Sequence, residues 1–283
     1  MLKYKYKIKG SGCNMLVSSI INDRYVEYDN NVFEKRIWYF EDGSVEYLHY
    51  IGNGKDIQNP KGNISCFHMF DGYSYDSIDL SNFDTSNIED MSWMFTFCVN
   101  LKSIDFSKFD TSKVKSMERM FQGCSRLESL DLSSFDTSNV ESMSHMFILC
   151  EKLKEVNLSS FDTSKVRDMS GMFQFCKGIK TLDVSSFNTS NVKSMAFMFK
   201  CCSNLQELNL SNFTYNSMEV GYINGFEYMF KGCSCLQYVE LENVPQELIS
   251  NVIDMSMFEH CTYLRSVKIN GVDYIASKKF YFV

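Results

Sequence analysis

Seven cysteines recur at a nearly constant interval along this 283-residue chain, and a thiol can bind a metal, form a disulfide or act as a nucleophile. The only local pairs, Cys201-Cys202 and Cys233-Cys235, have no partner pair at zinc-site spacing. The intervals are not typical of a disulfide framework either. A column of small, polarizable hydrophobes on a buried face explains them better, so the sequence predicts no metal and no cofactor. The recurring positions are Cys98, Cys124, Cys150, Cys176, Cys202, Cys233 and Cys261.

Histidines are further candidates for chemistry, because imidazole is the commonest general base. His49, His68, His145 and His260 fall in separate parts of the sequence, so no nucleophile–base pair or metal cluster follows from their positions. No G-x-S-x-G, H-E-x-x-H, P-loop or dinucleotide fingerprint occurs. The sequence therefore predicts no catalytic residue and no enzyme activity.

Acids and amides form a third recurring set, each placed between two apolar residues of a short alternating stretch. A second polar column stands two positions before it. An extended polar face of this kind could bind a basic protein, a glycan or a cation, or could simply be solvated. The candidate binding residues are Asp79, Asp105, Asp131, Asn157, Asp183, Asn209 and Glu240, with Glu155, Glu207 and Tyr238 from the second column, which also holds Ser103, Ser129 and Thr181.

All of these columns follow one internal repeat. Met-Phe pairs recur through most of the chain; five consecutive steps are 25 or 26 residues, and the last two are 31 and 28. The longer step predicts a local insertion around TYNSMEVGYING. A repeat of this length indicates stacked supersecondary units. The pairs end at Phe70, Phe95, Phe121, Phe147, Phe173, Phe199, Phe230 and Phe258.

The apolar period changes within each unit, and this change predicts its secondary structure. In VESMSHMFILCEKL, apolar residues recur every three or four positions, which is typical of one helix face. Asp136, Thr137 or Ser138 would cap that helix. Val156 and Leu158 then alternate with Asn157, which indicates a short strand. The helix face would consist of Val140, Met143, Met146, Phe147, Cys150 and Leu153.

One such unit cannot bury its own apolar face, but stacked copies can. The sequence predicts an α/β solenoid of about eight helix-turn-strand units over residues 61–270, right-handed and curved, with the polar strand columns on its concave side. Residues 1–60 contain five strand-like stretches, YKYKIKG, MLVSSII, RYVEYD, KRIWYF and SVEYLHYI. They would form a β-rich N-terminal cap or a separate functional module. Residues 271–283 would form a C-terminal cap strand.

The unit F-D-T-S-N/K-V-x-x-M-x-x-M-F-x-x-C-x-x-L-x-x-L-x-L-S-x resembles the BspA-type leucine-rich repeat surface proteins, and more narrowly their DUF285 branch of mycoplasma lipoproteins and cell-wall proteins. The match runs from about Cys66 to Asn270. The resemblance implies a leucine-rich-repeat fold. It also implies a surface or secreted protein with an adhesion or host-contact role.

Composition limits the partners and the compartment. The net charge of −7 disfavours nucleic acid and anionic membranes, and no apolar run approaches the roughly 18 residues of a membrane span. The N-terminus alternates Lys with Tyr and Ile, and Cys13 has no apolar stretch ahead of it, so neither an export signal nor lipidation is expected. The predicted function is a non-catalytic scaffold that presents the acidic face to a protein or glycan. The alternative is a cytoplasmic scaffold or effector with a protein partner.

Overall fold

The structure is a computed structural model that describes residues 25–28, 31–40, 43–50, 57–59, 62–218, 225–249 and 255–274. Its N-terminal part is a three-stranded antiparallel sheet whose strands lie side by side in chain order. These strands coincide with three of the predicted stretches, RYVEYD, KRIWYF and SVEYLHYI, whereas YKYKIKG and MLVSSII lie outside the described residues. The strands are β1 Tyr25–Tyr28, β2 Asn31–Phe40 and β3 Gly43–Tyr50.

The sheet contacts the first repeat at the end of β3. The Tyr50 N–H donates to the Met69 carbonyl at 2.7 Å, and the Tyr50 ring meets the Phe70 ring edge-on at 5.5 Å. Both rings are buried, so they cover part of the apolar interior of that unit. The predicted C-terminal cap strand falls mostly on residues 275–283, which lie outside the described residues.

From Ser65 onward, successive units lie side by side in the same direction. Parallel bridges join the start of each unit to the next, from Ser65 to Asp90 and on through Ser116, Ser142 and Asp168 to Ser194. Short strands form a second line of contacts. They are β4 Ser129–Asp131, β5 Glu155–Asn157, β6 Glu207–Asn209, β7 Tyr238–Leu241, β8 Ser266–Ile269 and β9 Val272–Asp273. Parallel pairing joins β4 to β5, β6 to β7 and β7 to β8, and β9 pairs antiparallel with β8. Short 3₁₀ helices span Gln246–Leu248 and Met255–Phe258.

The helix predicted in each unit does not form anywhere in residues 62–218; the segment is a run of turns. Every second backbone N–H group donates to the carbonyl three residues before it. The N–H groups between them donate to carbonyls of the next unit. His145 and Leu149 adopt φ values of 57° and 63°, the left-handed region that a right-handed helix excludes. The buried residues of these turns still recur every three or four positions, which is the pattern that predicted a helix. The bonds to the next unit include His145 to Ser170 (2.7 Å), Phe147 to Met172 (2.8 Å) and Leu149 to Gln174 (2.9 Å).

The predicted helix caps therefore have other roles. The Asp136 carboxylate accepts the Ser138 N–H at 3.0 Å in a local turn. The Thr137 hydroxyl donates to the Asp162 carbonyl of the next unit at 2.9 Å, and the equivalent threonines do the same. These side chains are almost completely buried, so they form a hydrogen-bonded column between units. The other bonds are Thr111 to Asp136 (2.8 Å), Thr163 to Asn188 (2.8 Å) and Thr189 to Thr214 (2.9 Å).

Phenylalanine rings form the centre of the core. The Phe of each Met-Phe pair stacks almost parallel on its equivalent in the next unit, at distances somewhat larger than the separation of paired strands. This column continues across the 31-residue step, although residues 219–224 of the predicted insertion lie outside the described residues. Ring centroids are 5.3 Å apart for Phe70–Phe95, 5.7 for Phe95–Phe121, 5.6 for Phe121–Phe147, 5.3 for Phe147–Phe173, 5.8 for Phe173–Phe199 and 5.5 for Phe199–Phe230.

The seven repeated cysteines lie beside these rings, and all are buried. Each thiol donates to the carbonyl of the Met-Phe phenylalanine in the preceding unit, as Cys150 does to Phe121 at 3.1 Å. Burial raises the pKa of the Cys150, Cys176 and Cys233 thiols well above its ordinary value because a thiolate would be desolvated there. The column thus consists of neutral thiols that donate hydrogen bonds to backbone carbonyls.

This arrangement predicts a clear difference in thiol reactivity. Cys201 and Cys235 are partly exposed, so N-ethylmaleimide should label them before the buried thiols of the column in the native protein. Cys150 and the other buried thiols of the column should react at least roughly a hundredfold more slowly, because they become accessible only on opening of the fold. Peptide mass mapping with and without urea would measure both rates. Equal labelling of Cys150 and Cys201 in the native state would contradict this packing.

Candidate functional site

The predicted acid and amide column lies on the exposed side of the strand ladder. Its members have exposed side chains, while the apolar residues beside them point inward, as Leu130 and Leu132 do around Asp131. Asp131 pairs with Asn157 across β4 and β5, and Asn209 pairs with Glu240 across β6 and β7. We call this surface, formed by the acid and amide column together with the second polar column, the strand face.

Each Asp or Asn of the first column also has a structural role. Its side-chain oxygen accepts the N–H of the serine two residues further on, which makes an Asx turn at the end of the strand segment. The signal for these turns is visible in the sequence as repeated D/N-x-S. The bonds are Asp79–Ser81 (3.0 Å), Asp105–Ser107 (2.9 Å), Asp131–Ser133 (3.0 Å), Asn157–Ser159 (3.2 Å), Asp183–Ser185 (2.9 Å) and Asn209–Ser211 (2.9 Å).

These bonds keep the column charged. Hydrogen bonds from the serine two residues on lower the pKa of Asp105, Asp131 and Asp183 below its ordinary value, because they stabilise the carboxylate. Like-charge repulsion between units is reduced where Asn157 stands beside Asp131, and its amide donates to that carboxylate at 3.1 Å. The strand face is therefore anionic over the whole neutral pH range.

The last members of the column differ from the others. Glu240 in β7 is paired in register with Lys268 of β8, and the carboxylate lies 3.9 Å from the ammonium group. Lys268 was not among the predicted site residues, although it occupies the same position of the last repeat. Its charge ends the run of acids and amides.

A cavity of about 220 Å³ lies between residues 156–159 and residues 183–186, beside Asn157 and Asp183 of the strand face. In the described residues no β-bridge joins these two segments, whereas Thr181 does bridge to Glu207 on its other side. A cavity with both polar and apolar walls can receive a ligand side chain or a sugar ring. Its lining is Val156, Asn157, Leu158, Ser159, Asp183, Ser185 and Ser186.

The second polar column runs parallel to the first. Glu155 pairs with Ser129 in β5 and β4, and Glu207 pairs with Tyr238 in β6 and β7. Tyr238 is 47% exposed, so an aromatic surface lies next to the acids. The structure thus leaves all ten predicted binding residues exposed, and strand pairing places Asp131 beside Asn157 and Asn209 beside Glu240. Sequence reasoning did not identify the cavity beside Asn157, because that depends on where the ladder opens.

Two of the histidines, His68 and His145, belong to another column of packed side chains. His68 stacks on Trp93 with ring centroids 4.9 Å apart, and the Arg119 guanidinium lies over the other side of Trp93 at 4.8 Å. His145 follows in the next unit, where burial and then the nearby Arg119 charge lower its pKa to about 4. This column packs neighbouring units through cation–π contacts. In the described part of the chain, no three His, Cys, Asp or Glu side chains are grouped to hold a metal ion.

Comparisons with known proteins identify only a family model, described as "Mycoplasma protein of unknown function, DUF285", which matches residues 64–181 and again 149–271. The two matches overlap, as expected for a repeated unit. No curated protein and no solved structure matches the chain. In the described residues no helix has the length and apolar character of a membrane span.

Proposed function

The chain belongs to the DUF285 family of mycoplasma proteins of unknown function, and on this premise we propose that it is a non-catalytic scaffold whose strand face binds a protein or glycan partner. One observation carries this proposal. The strand face presents charged side chains at regular intervals and includes the cavity of about 220 Å³ beside Asn157 and Asp183. A regular, ordered surface loses little entropy on binding.

We also propose that the units form a leucine-rich-repeat solenoid of the BspA type. The two lines of parallel pairing and the stacked Met-Phe rings support it. An adhesion or host-contact role at the cell surface is the corresponding biological proposal. A scaffold in a reducing compartment is the alternative, favoured by the ten unpaired cysteines in the described residues.

The partner-binding proposal predicts a charge effect that is separable from folding. Changing Asp105, Asp131 and Asp183 together to asparagine removes three charges but keeps an oxygen that can accept the serine N–H. Partners found by screening the wild-type protein on a glycan array and a panel of surface proteins should bind this variant roughly tenfold more weakly. Surface plasmon resonance would measure the affinities.

The repeat supplies a matched control for this experiment. Asp110, Asp136 and Asp162 are also exposed and accept a serine N–H in the same turn, but they lie outside the strand face. Their triple change to asparagine removes the same charge and should leave binding unchanged. If no partner discriminates between the two variants, the strand face is not the binding surface.

A further inference from the structure

Basic side chains are concentrated in three successive units, on the segments that connect the turns to the strand positions. All five are exposed. We call this set the basic ridge. It directly precedes the second polar column of the strand face in the sequence, but shares no residue with that face. The ridge consists of Arg126, Lys152, Lys154, Lys177 and Lys180.

Backbone contacts between the units bring these side chains together. The Lys154 N–H donates to the Glu128 carbonyl of the preceding unit at 2.9 Å. A Cβ added at Gly178 would lie 2.9 Å from the Lys152 carbonyl oxygen, so the absence of a side chain at position 178 permits this close approach of the next unit. The stacked Met-Phe rings of the three units are 5.3–5.6 Å apart. The basic residues of the ridge therefore recur at about this interval along the repeat.

Two of the five cations have a carboxylate partner. The Lys154 ammonium lies 2.7 Å from Glu128, and the Lys177 ammonium lies 2.8 Å from Glu151. The other three form no ion pair within the part of the chain that the structure describes. The unpaired cations are Arg126, Lys152 and Lys180.

The ridge reverses the sign of the protein's charge locally. Together with Glu128 and Glu151, its side chains carry a net charge of about +3 at neutral pH, or about +2 when the neighbouring Glu155 of the strand face is included. The whole chain carries −7. The turn residues 122–123, 148–149 and 174–175, which precede the ridge in the same units, contribute no charge. Like charges at this spacing repel, and a bound polyanion would reduce that repulsion.

We propose that the basic ridge binds an acidic polysaccharide through carboxylate or sulfate groups on successive sugar rings. Cations repeated once per unit fit a ligand whose negative charges also repeat along a chain, and the Arg126 guanidinium can hold two oxygens of one such group. Proteins that bind single-stranded nucleic acid also stack its bases on aromatic side chains, and the ridge itself contains none. This ligand is additional to the partner proposed for the strand face.

The test uses the full chain and three fluorescent probes, a heparin hexasaccharide, a hyaluronan hexasaccharide and a short oligothymidine. Fluorescence polarisation at constant ionic strength would measure the affinities. Arg126→Gln/Lys152→Gln/Lys180→Gln should bind the hexasaccharides about tenfold more weakly than the wild type. Glu128→Gln/Glu151→Gln leaves the two paired lysines free and should bind them about threefold more tightly. Binding of one hexasaccharide alone supports the proposal and identifies sulfate or carboxylate as the recognised group.

Lys113→Gln/Lys165→Gln/Arg167→Gln is the matched control. It also removes two lysines and one arginine, all exposed in two of the same units, but outside the ridge. This variant should bind the hexasaccharides like the wild type, and circular dichroism would check that both triple variants are folded.

A strand-face variant separates this proposal from the other one. Asp105→Asn/Asp131→Asn/Asp183→Asn keeps the ridge intact and should bind the hexasaccharides at least as tightly as the wild type. The proposal is overturned if neither hexasaccharide binds or if the oligothymidine binds as tightly as either of them. It is also overturned if the ridge variant and its matched control lose affinity equally, since that would reflect only the general charge of the protein.

Discussion

Phe147→Ala should lower the free energy of unfolding by about 3–5 kcal/mol. The Phe147 side chain is completely buried and lies between two nearly parallel rings, Phe121 at 5.6 Å and Phe173 at 5.3 Å. Truncation would remove apolar burial and leave a cavity that both neighbouring units line. Urea unfolding followed by circular dichroism would measure the change.

Phe97→Ala is the appropriate control, because the same residue type is 43% exposed there. Its loss should cost about 1 kcal/mol or less. In a repeat array each unit is stabilised mainly by its neighbours, so hydrogen exchange in Phe147→Ala should increase most in the units on either side of it. Equal costs for the two alanine variants would mean that the phenylalanine column is not the core.

Thr163→Val should lower the free energy of unfolding by about 2–4 kcal/mol, although valine has nearly the same side-chain shape as threonine. The Thr163 hydroxyl donates to the Asn188 carbonyl at 2.8 Å and accepts the Asn188 N–H at 2.7 Å. The Thr163 side chain is 0% exposed, so valine would place an apolar group against the Asn188 N–H and carbonyl and remove the partner of both. The measurement is again urea unfolding.

Thr163→Ser separates the hydroxyl from the methyl group. Serine keeps both hydrogen bonds and loses only a buried methyl, so it should cost about 1 kcal/mol. A serine variant as unstable as the valine variant would show that packing, rather than hydrogen bonding between units, explains the buried threonine column.

Much of the organisation follows from the sequence by itself. The repeat interval determined which residues share a column, and the Met-Phe, Cys and Leu columns are buried as their spacing predicted. The period-two stretch around Val156 coincides with β5. The predicted DUF285 resemblance is confirmed by the family model that matches. These features can be predicted from the sequence because a repeated unit shows the same buried positions several times.

The tertiary structure decided how each unit is built. A spacing of three and four residues fits both a helix and a run of turns, and the choice depends on whether N–H groups such as those of His145 and Phe147 bond within the unit or 25 residues away. A long-range hydrogen bond also determines the role of Thr137, whose hydroxyl donates to the Asp162 carbonyl of the next unit. Sequence patterns report which side chains avoid water, whereas the partner of each backbone group is settled only when neighbouring units pack together.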